Sequence, residues 1–150
     1  AKEIAINIIE SLQMVGILAV EFFLTKEGEL LINEIAPRPH NSAHHTIECN
    51  VTSQFQQHLR SVLNLPLGDT SLISCGAMLN ILGEKGSNGP ALYDGMEFLL
   101  NEPGVFVHIY GKEVVKSFRK MGHITLIAPT ILELKQKVEL IKGKLKAHSA

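Results

Sequence analysis

Two glutamates, Glu21 and Glu34, stand inside apolar runs on either side of a short polar stretch, Lys26-Glu27-Gly28-Glu29. If Glu27-Gly28 is the tip of a tight turn, Lys26 faces Glu29, Thr25 faces Leu30, Leu24 faces Leu31 and Glu21 faces Glu34. Directly opposed residues in such a pair have Cβ atoms about 4.5–5.5 Å apart, and like charges there are destabilising. The pair needs a compensating cation or a shared proton. A divalent metal is the simplest cation. Oxygen-only donors favour Mg²⁺ over zinc, because Mg²⁺ takes one or two carboxylates plus substrate phosphates. The alternative is that one or both glutamates point outward on a solvated face. Alternation puts Glu21 with Phe23 and Thr25, and Glu34 with Ile32 and Leu30, while the other face is also mostly apolar. A sheet apolar on both faces is expected to be covered on both sides, and carboxylates inside it are costly unless paired or metal-bound.

The loop Ala36-Pro37-Arg38-Pro39-His40-Asn41-Ser42 follows the second run directly. Two prolines hold it extended and restrict the residues before them. Arg38 offers a planar donor fork for an oxyanion, and Asn41 and Ser42 offer hydrogen bonds beside His40. A surface loop with incidental polar residues is the other reading. His40, His44 and His45 could suggest a histidine metal cluster, but neutral imidazoles compete poorly with carboxylates for Mg²⁺. Further on, Tyr110-Gly111-Lys112 and Arg119-Lys120-Met121-Gly122-His123 place cations on both sides of a turn. Lysine as a point charge and arginine as a fork suit a phosphate; a solvated hairpin tip accounts for the same spacing.

Several elements must position these groups. Ile4, Ile8, Ile9 and Leu12 recur at helical spacing in residues 2–14, and Gly16 ends that helix. Ile17 to Leu24 and Leu30 to Ala36 read as a hairpin. A short helix is expected in residues 43–50, and a clearer one runs from a Thr52 or Ser53 cap to Leu63. Leu65-Pro66-Leu67-Gly68-Asp69 is the candidate boundary. Beyond it lie a strand over 75–82, a Gly-rich segment over 83–90 read as a mobile connector, and a short helix over 92–100. No Lys-Ser/Thr follows the glycines, so they do not form a P-loop. Strands are expected over 105–110 and 123–128, then a helix opened by Pro129 and Thr130. Its apolar stripe is Ile131, Leu134, Val138, Ile141 and Leu145, with Lys135, Lys137, Lys142 and Lys144 read as a solvated face.

The chain has 150 residues, 45% of them hydrophobic, and a formal net charge of −1, which suits one compact domain or two small ones. No basic surface points to nucleic acid. No run of 18 apolar residues suggests a membrane span, and the first residues do not read as a signal peptide. Cys49 and Cys75 lack CxxC spacing and read as reduced thiols of a cytoplasmic protein. Zinc and haem are not expected. There is no initiator Met, and the chain starts as though in mid-helix, so a fragment or remnant of a longer protein is expected.

The segments ILAVEFFLTKEGELLINEIAPRPHNSAHHTIE and TSQFQQHLRSVLNLPLG, with the later GAMLNILG, IYGK and RKMGH, cover nearly the whole chain. Together they closely resemble the C-terminal part of the 5-(carboxyamino)imidazole ribonucleotide synthases of purine biosynthesis, a family of ATP-grasp ligases. NEIAPRPHNS combined with RKMGH is the specific element. The resemblance implies an α+β fold. Residues 1–66 would be the C-terminal half of an ATP-grasp domain, an antiparallel sheet with helices. Residues 67–150 would be a small β-rich domain, a rudimentary hybrid motif closed by the last helix. It also implies a reaction in which ATP activates bicarbonate as carboxyphosphate to carboxylate the amine of 5-aminoimidazole ribonucleotide. Glu21 and Glu34 then match Mg²⁺ ligands, and Asn33 and Glu34 contact the nucleotide. Arg38 and His40 are expected as catalytic residues, Asn41 and Ser42 as substrate contacts, and Lys112 and Arg119 as ligands of the ribonucleotide phosphate. A homodimer is expected from the same family.

Ala43 stands where the family usually has Gly, Ile109 where it has Trp, and Ser117-Phe118 where it has Pro-Gly. These residues without the preceding ATP-grasp half are not expected to turn over ATP. The formate-dependent glycinamide ribonucleotide transformylase has a related loop with Asp-Thr-Gly after Pro-Arg-Pro-His; here Asn41-Ser42 follows, which favours the carboxylating family. A non-catalytic binding or dimerisation module is the alternative from another class.

Overall fold

The amphipathic start of the chain forms helix α1 (Lys2–Ser11) in a computed structural model that describes all 150 residues. The helix stops earlier than Gly16. Leu12 closes its last turn by donating to the Ile8 carbonyl, and Gln13 turns left-handed at φ 49°. The chain divides into two units, Ala1–Ser71 and Leu72–Ala150.

In the first unit, β1 (Ala19–Leu24) and β2 (Leu30–Ala36) pair antiparallel. The turn differs from the expected two-residue tip. Thr25 N–H donates to the Glu29 carbonyl at 2.9 Å and Gly28 sits at φ 87°, so three residues form the loop. A three-residue hairpin with a left-handed third residue favours glycine there. Leu24 therefore faces Leu30, not Leu31, and Phe22 faces Ile32. Continued unchanged, that register would set Glu21 opposite Asn33. A β-bulge between Glu21 and Phe22 absorbs one residue of β2, and Glu21 faces Glu34 after all.

The loop after β2 passes through a single 3₁₀ turn, Asn41–Ala43, into α2 (Thr46–Cys49) and α3 (Gln54–Val62). Ser53 caps α3 in a reciprocal capping box with Gln56. Side chains of α3 satisfy backbone that has no strand partner. Ser61 Oγ and His58 Nδ1 accept from Gly16 and Ile17, and the Gln57 amide bonds both the N–H and the carbonyl of Gly68. The hairpin is not covered on both faces: Phe23 is 59% exposed, and Leu31 and Ile32 are each 52% exposed. Two strands cannot bury two faces by themselves.

In the second unit, β3 (Cys75–Leu82), β6 (Val105–Ile109) and β8 (Lys120–Ala128) form an antiparallel sheet in the order β3-β8-β6. The central strand is buried from Met121 to Leu126. Two short ladders flank it: β4 (Asn88–Pro90) with β7 (Val114–Lys116), and β5 (Leu92–Asp94) with β9 (Lys146–His148). Helices α4 (Met96–Leu100) and α5 (Ile131–Ile141) complete the unit. Leu99, Met121, Leu126, Leu134, Ile141 and Ala147 share its core.

Three expectations change here. Residues 83–90 are not an unpaired connector: residues 88–90 form β4 against β7. Gly83 donates to the Arg119 carbonyl, accepts from Phe118, and lies so close to the Lys116 carbonyl that a Cβ would collide. The expected helix over 92–100 begins as strand β5 and turns helical only after Gly95, because Tyr93 pairs with Ala147 of a C-terminal strand too short to read from sequence. Lys137 is no solvated charge: its ammonium donates to the Pro103 and Ile127 carbonyls, both at 2.8 Å.

Hydrogen bonds to a charged group are worth about 1.5–3 kcal/mol each, less where water competes. Lys137→Met is therefore expected to cost about 1–2 kcal/mol in urea unfolding, and Lys135→Met, at an exposed position, within about 0.5 kcal/mol of zero. A second prediction concerns His148, whose Nε2 lies 2.9 Å from Asp94 Oδ2. Its imidazole titrates above 6.5, raised first by the bond to the Ser149 carbonyl, opposed by desolvation, and raised again by Asp94. A raised folded-state value adds stability below the unfolded value that is lost as pH rises through the folded one. Thermal midpoints followed from acid to alkaline pH are expected to fall across that window in the wild type and to fall less in Asp94→Asn.

Candidate functional site

The bulge in the hairpin places Glu21 and Glu34 opposite one another, and the imidazole of His40 lies between them. His40 Nδ1 is 3.4 Å from Glu21 Oε1, and Nε2 is 3.6 Å from Glu34 Oε1. The ring is largely buried, at 12% exposure, while the glutamate side chains remain 36% and 53% exposed. These separations exceed hydrogen-bond length, so the attraction is Coulombic and present when the ring is protonated. The short contact of the ring is with Ser42 Oγ, 2.8 Å from Nδ1. The structure thus brings together Glu21, Glu34, His40 and Ser42. Asn33 is the residue the bulge leaves without a cross-strand partner. Arg38 is exposed, with one guanidinium nitrogen donating to the Pro39 carbonyl at 3.1 Å, and Asn41 opens the 3₁₀ turn half-buried.

One buried residue that the sequence reading passed over organises this loop. Gln54, 5% exposed, accepts from the His40 N–H at 2.7 Å and donates to the His40 carbonyl at 2.8 Å. Its amide nitrogen also lies 2.9 Å from His44 Nδ1. Its own backbone N–H donates to Thr46 Oγ1, which donates in turn to the Ala43 carbonyl. A glutamine at the first position of a helix has no distinguishing sequence pattern. The signal available was the need of a Pro-X-Pro loop, which has no ladder, for backbone partners.

Lys112 and Arg119 lie in the second unit. Lys112 Nζ donates to the Lys120 carbonyl at 2.6 Å and sits 5.5 Å from the Tyr110 ring centroid. Arg119 Nη1 donates to the Val114 carbonyl at 2.7 Å. Burial holds the Lys112 ammonium below its ordinary value, with Arg119 and Lys120 adding to the effect. Beside them the Tyr110 hydroxyl lies 2.9 Å from His123 Nδ1, and the His108 and His123 rings stack at 4.4 Å. Burial pushes the Tyr110 phenol upward.

The carboxylates fit Mg²⁺. Both supply the oxygen donors Mg²⁺ prefers, and their exposure leaves room for the water and phosphate oxygens that Mg²⁺ retains. No group of three or more His, Cys, Asp and Glu side chains is set to hold a metal alone, so such an ion would need further oxygens from substrate or water.

Residues 1–55 match the ATP-grasp domain family, and residues 76–137 match the phosphoribosylaminoimidazole carboxylase C-terminal domain family. The chain is 49% identical over 127 residues to the N5-carboxyaminoimidazole ribonucleotide synthase of Bacillus subtilis (strain 168), covering 85% of this chain and 32% of that protein. The crystal structure of N5-carboxyaminoimidazole ribonucleotide synthetase from Thermotoga maritima matches with a TM-score of 0.91 at 48% identity, over 99% of this chain and 41% of that one. A crystal structure of the Aspergillus clavatus synthase with ADP and 5-aminoimidazole ribonucleotide matches at 38% identity with a TM-score of 0.74, over 84% of this chain and 34% of that one. The chain spans 26% to 38% of the length of the curated relatives it matches. No helix is long and apolar enough to cross a membrane.

If His40 relieves the repulsion of the two carboxylates, His40→Ala destabilises the chain, and Glu34→Gln in the same background restores part of the loss. Given the exposure of the glutamates, the coupling between His40 and Glu34 is expected at roughly 0.2–1 kcal/mol. A double-mutant cycle in urea reads it.

Proposed function

We propose, for a chain that belongs to the N5-carboxyaminoimidazole ribonucleotide synthase family of ATP-grasp ligases, that it supplies part of the active site for ATP-dependent carboxylation of 5-aminoimidazole ribonucleotide. Bicarbonate is the carbon source, and it is activated by the terminal phosphate of ATP as carboxyphosphate. The convergence of Glu21, Glu34 and His40 directly before and within the Arg38–Ser42 loop is the observation that carries this reading.

Each residue has a role in it. Glu21 and Glu34 hold Mg²⁺, which when bound neutralises phosphate charge. Asn33 and Glu34 contact the nucleotide. The Arg38 guanidinium lies on the exposed side of the loop, where its free donors can pair with a carboxylate-shaped oxyanion such as bicarbonate. His40 is held beside both carboxylates, where it can carry or release a proton as their charge is neutralised. Asn41 and Ser42 orient the aminoimidazole. Lys112 and Arg119 hold the ribonucleotide phosphate, consistent with the mutual repulsion of cations around Lys112. Residues 1–66 are the ATP-grasp portion and 67–150 the β-rich C-terminal portion of this reading. We place the enzyme in the cytoplasm, where the thiols of Cys49 and Cys75 stay reduced, and assign it a homodimeric state from its family.

A chimera in which these residues replace the matching part of the Bacillus relative tests the reading. ATP hydrolysis by the chimera is expected to need bicarbonate and to rise with 5-aminoimidazole ribonucleotide. Glu34→Gln and Arg38→Ala are each expected to lower turnover about 100-fold or more, the scale on which removal of one charge-stabilising group acts. Stimulation by glycinamide ribonucleotide with formate instead would move the chain to the rival ligase. No stimulation by either, from a folded chimera, would favour a non-catalytic module.

A further inference from the structure

We infer that Gln54 is a positioning residue of this site: its side-chain amide clamps the backbone of His40, and so holds the imidazole between Glu21 and Glu34, while fixing the tautomer of His44. The inference deepens the reading of the Arg38–Ser42 loop given above and rests on it.

The donor chemistry leaves one orientation of the amide. The His40 N–H can only donate, so the atom 2.7 Å from it must be the Gln54 carbonyl oxygen. The amide nitrogen therefore faces the His40 carbonyl at 2.8 Å, which can only accept. Its second hydrogen points to His44 Nδ1 at 2.9 Å, which must present a lone pair. A neutral His44 then carries its proton on Nε2. All three polar positions of the Gln54 side chain are engaged, in a residue only 5% exposed.

The clamp is held from the other end as well. Gln54 opens α3, whose first turn is fixed by the capping box of Ser53 and Gln56. Its own N–H would be an orphan of the helix start, and Thr46 Oγ1 accepts it at 3.0 Å. The His44 ring stacks on Phe55, the next residue of the helix, at 5.6 Å between centroids. His40 has no ladder partner, since β2 ends at Ala36 and prolines stand at 37 and 39. Gln54 does for that peptide what a neighbouring strand would do. A ring placed 3.4 and 3.6 Å from two carboxylates depends on where its backbone is held.

The test uses the whole chain of 150 residues, labelled with ¹⁵N, and reads ring nitrogens and amide exchange by NMR. In the wild type His44 is expected as the Nε2–H tautomer, and the His40 amide is expected to exchange slowly. Gln54→Glu keeps an acceptor for the His40 N–H but loses both donors. It is expected to release the His44 tautomer and to speed His40 exchange about tenfold or more, the shift that loss of one buried bond of about 1.4 kcal/mol produces. Gln54→Leu removes the clamp entirely. In that variant the His40 amide is expected to exchange at least about tenfold faster than in the wild type. Ser53→Ala loosens the same helix start without touching the clamp, and is expected to leave the His44 tautomer in place. A wild-type His44 with its proton on Nδ1 overturns the inference without any variant. So does a His40 amide that exchanges as slowly in Gln54→Leu as in the wild type. None of these readouts needs turnover. Failure of the chimera to carboxylate would therefore remove the functional reading and leave the clamp standing.

Discussion

Two carboxylates facing one another across a strand pair repel, and the structure around Glu21 and Glu34 manages that repulsion. A hairpin loop one residue longer than a tight turn shifts the register, and a bulge shifts it back. With either feature alone, Glu21 would lie opposite a neighbour of Glu34 and the side chains would fall on opposite faces. With both, the carboxylates share a face and a common neighbour, His40. The ring approaches one carboxylate with each of its two nitrogens. It holds the pair without closing it, because both carboxylates keep access to solvent.

Holding that ring falls to a helix rather than to the sheet. Gln54 and Gln57 lie three residues apart on α3, and each uses its amide as a portable piece of backbone. One bonds both polar groups of His40 and the other both polar groups of Gly68. Every such bond contributes a modest net amount, about 0.5–1.5 kcal/mol, yet leaving the peptide groups unpaired in a buried place would cost more. Irregular segments that carry polar side chains toward a site need such partners. That is why this helix start is buried and capped while much of the hairpin remains exposed.

The second unit solves a different problem. Its central strand β8 is buried on both faces, and the edges of the unit are closed by short ladders rather than by long strands. Lys137 pins two carbonyls near the end of β8, and Gly83 lets a neighbouring carbonyl approach where a side chain would not fit. Against this frame Lys112, Arg119 and Lys120 crowd one another, each of the first two tied by one bond to the main chain. Tethering to carbonyls holds the cations near each other despite their repulsion.

What the sequence determined by itself was the set of residue types and their local grammar. Hydrophobic periodicity sufficed for α1, α3, α5, β2 and β3, and the fold class and family lay in NEIAPRPHNS with RKMGH. The opposition of Glu21 and Glu34 was also legible, though from a register wrong at the tip and right at the carboxylates. The strands β5, β7 and β9 were not legible, because three residues carry too little periodicity and pair only with partners that folding brings up. Lys137 read as surface charge because its place on a helix says nothing about two carbonyls from distant segments. Tertiary structure alone decided that a histidine stands between the carboxylates and that a glutamine holds it there. The first depends on the bulge that sets Glu21 opposite Glu34, and the second on bonds between groups fourteen residues apart. Hydrogen-bond and Coulomb partners of that kind are chosen by distance in the folded chain, and spacing along the sequence carries no record of it.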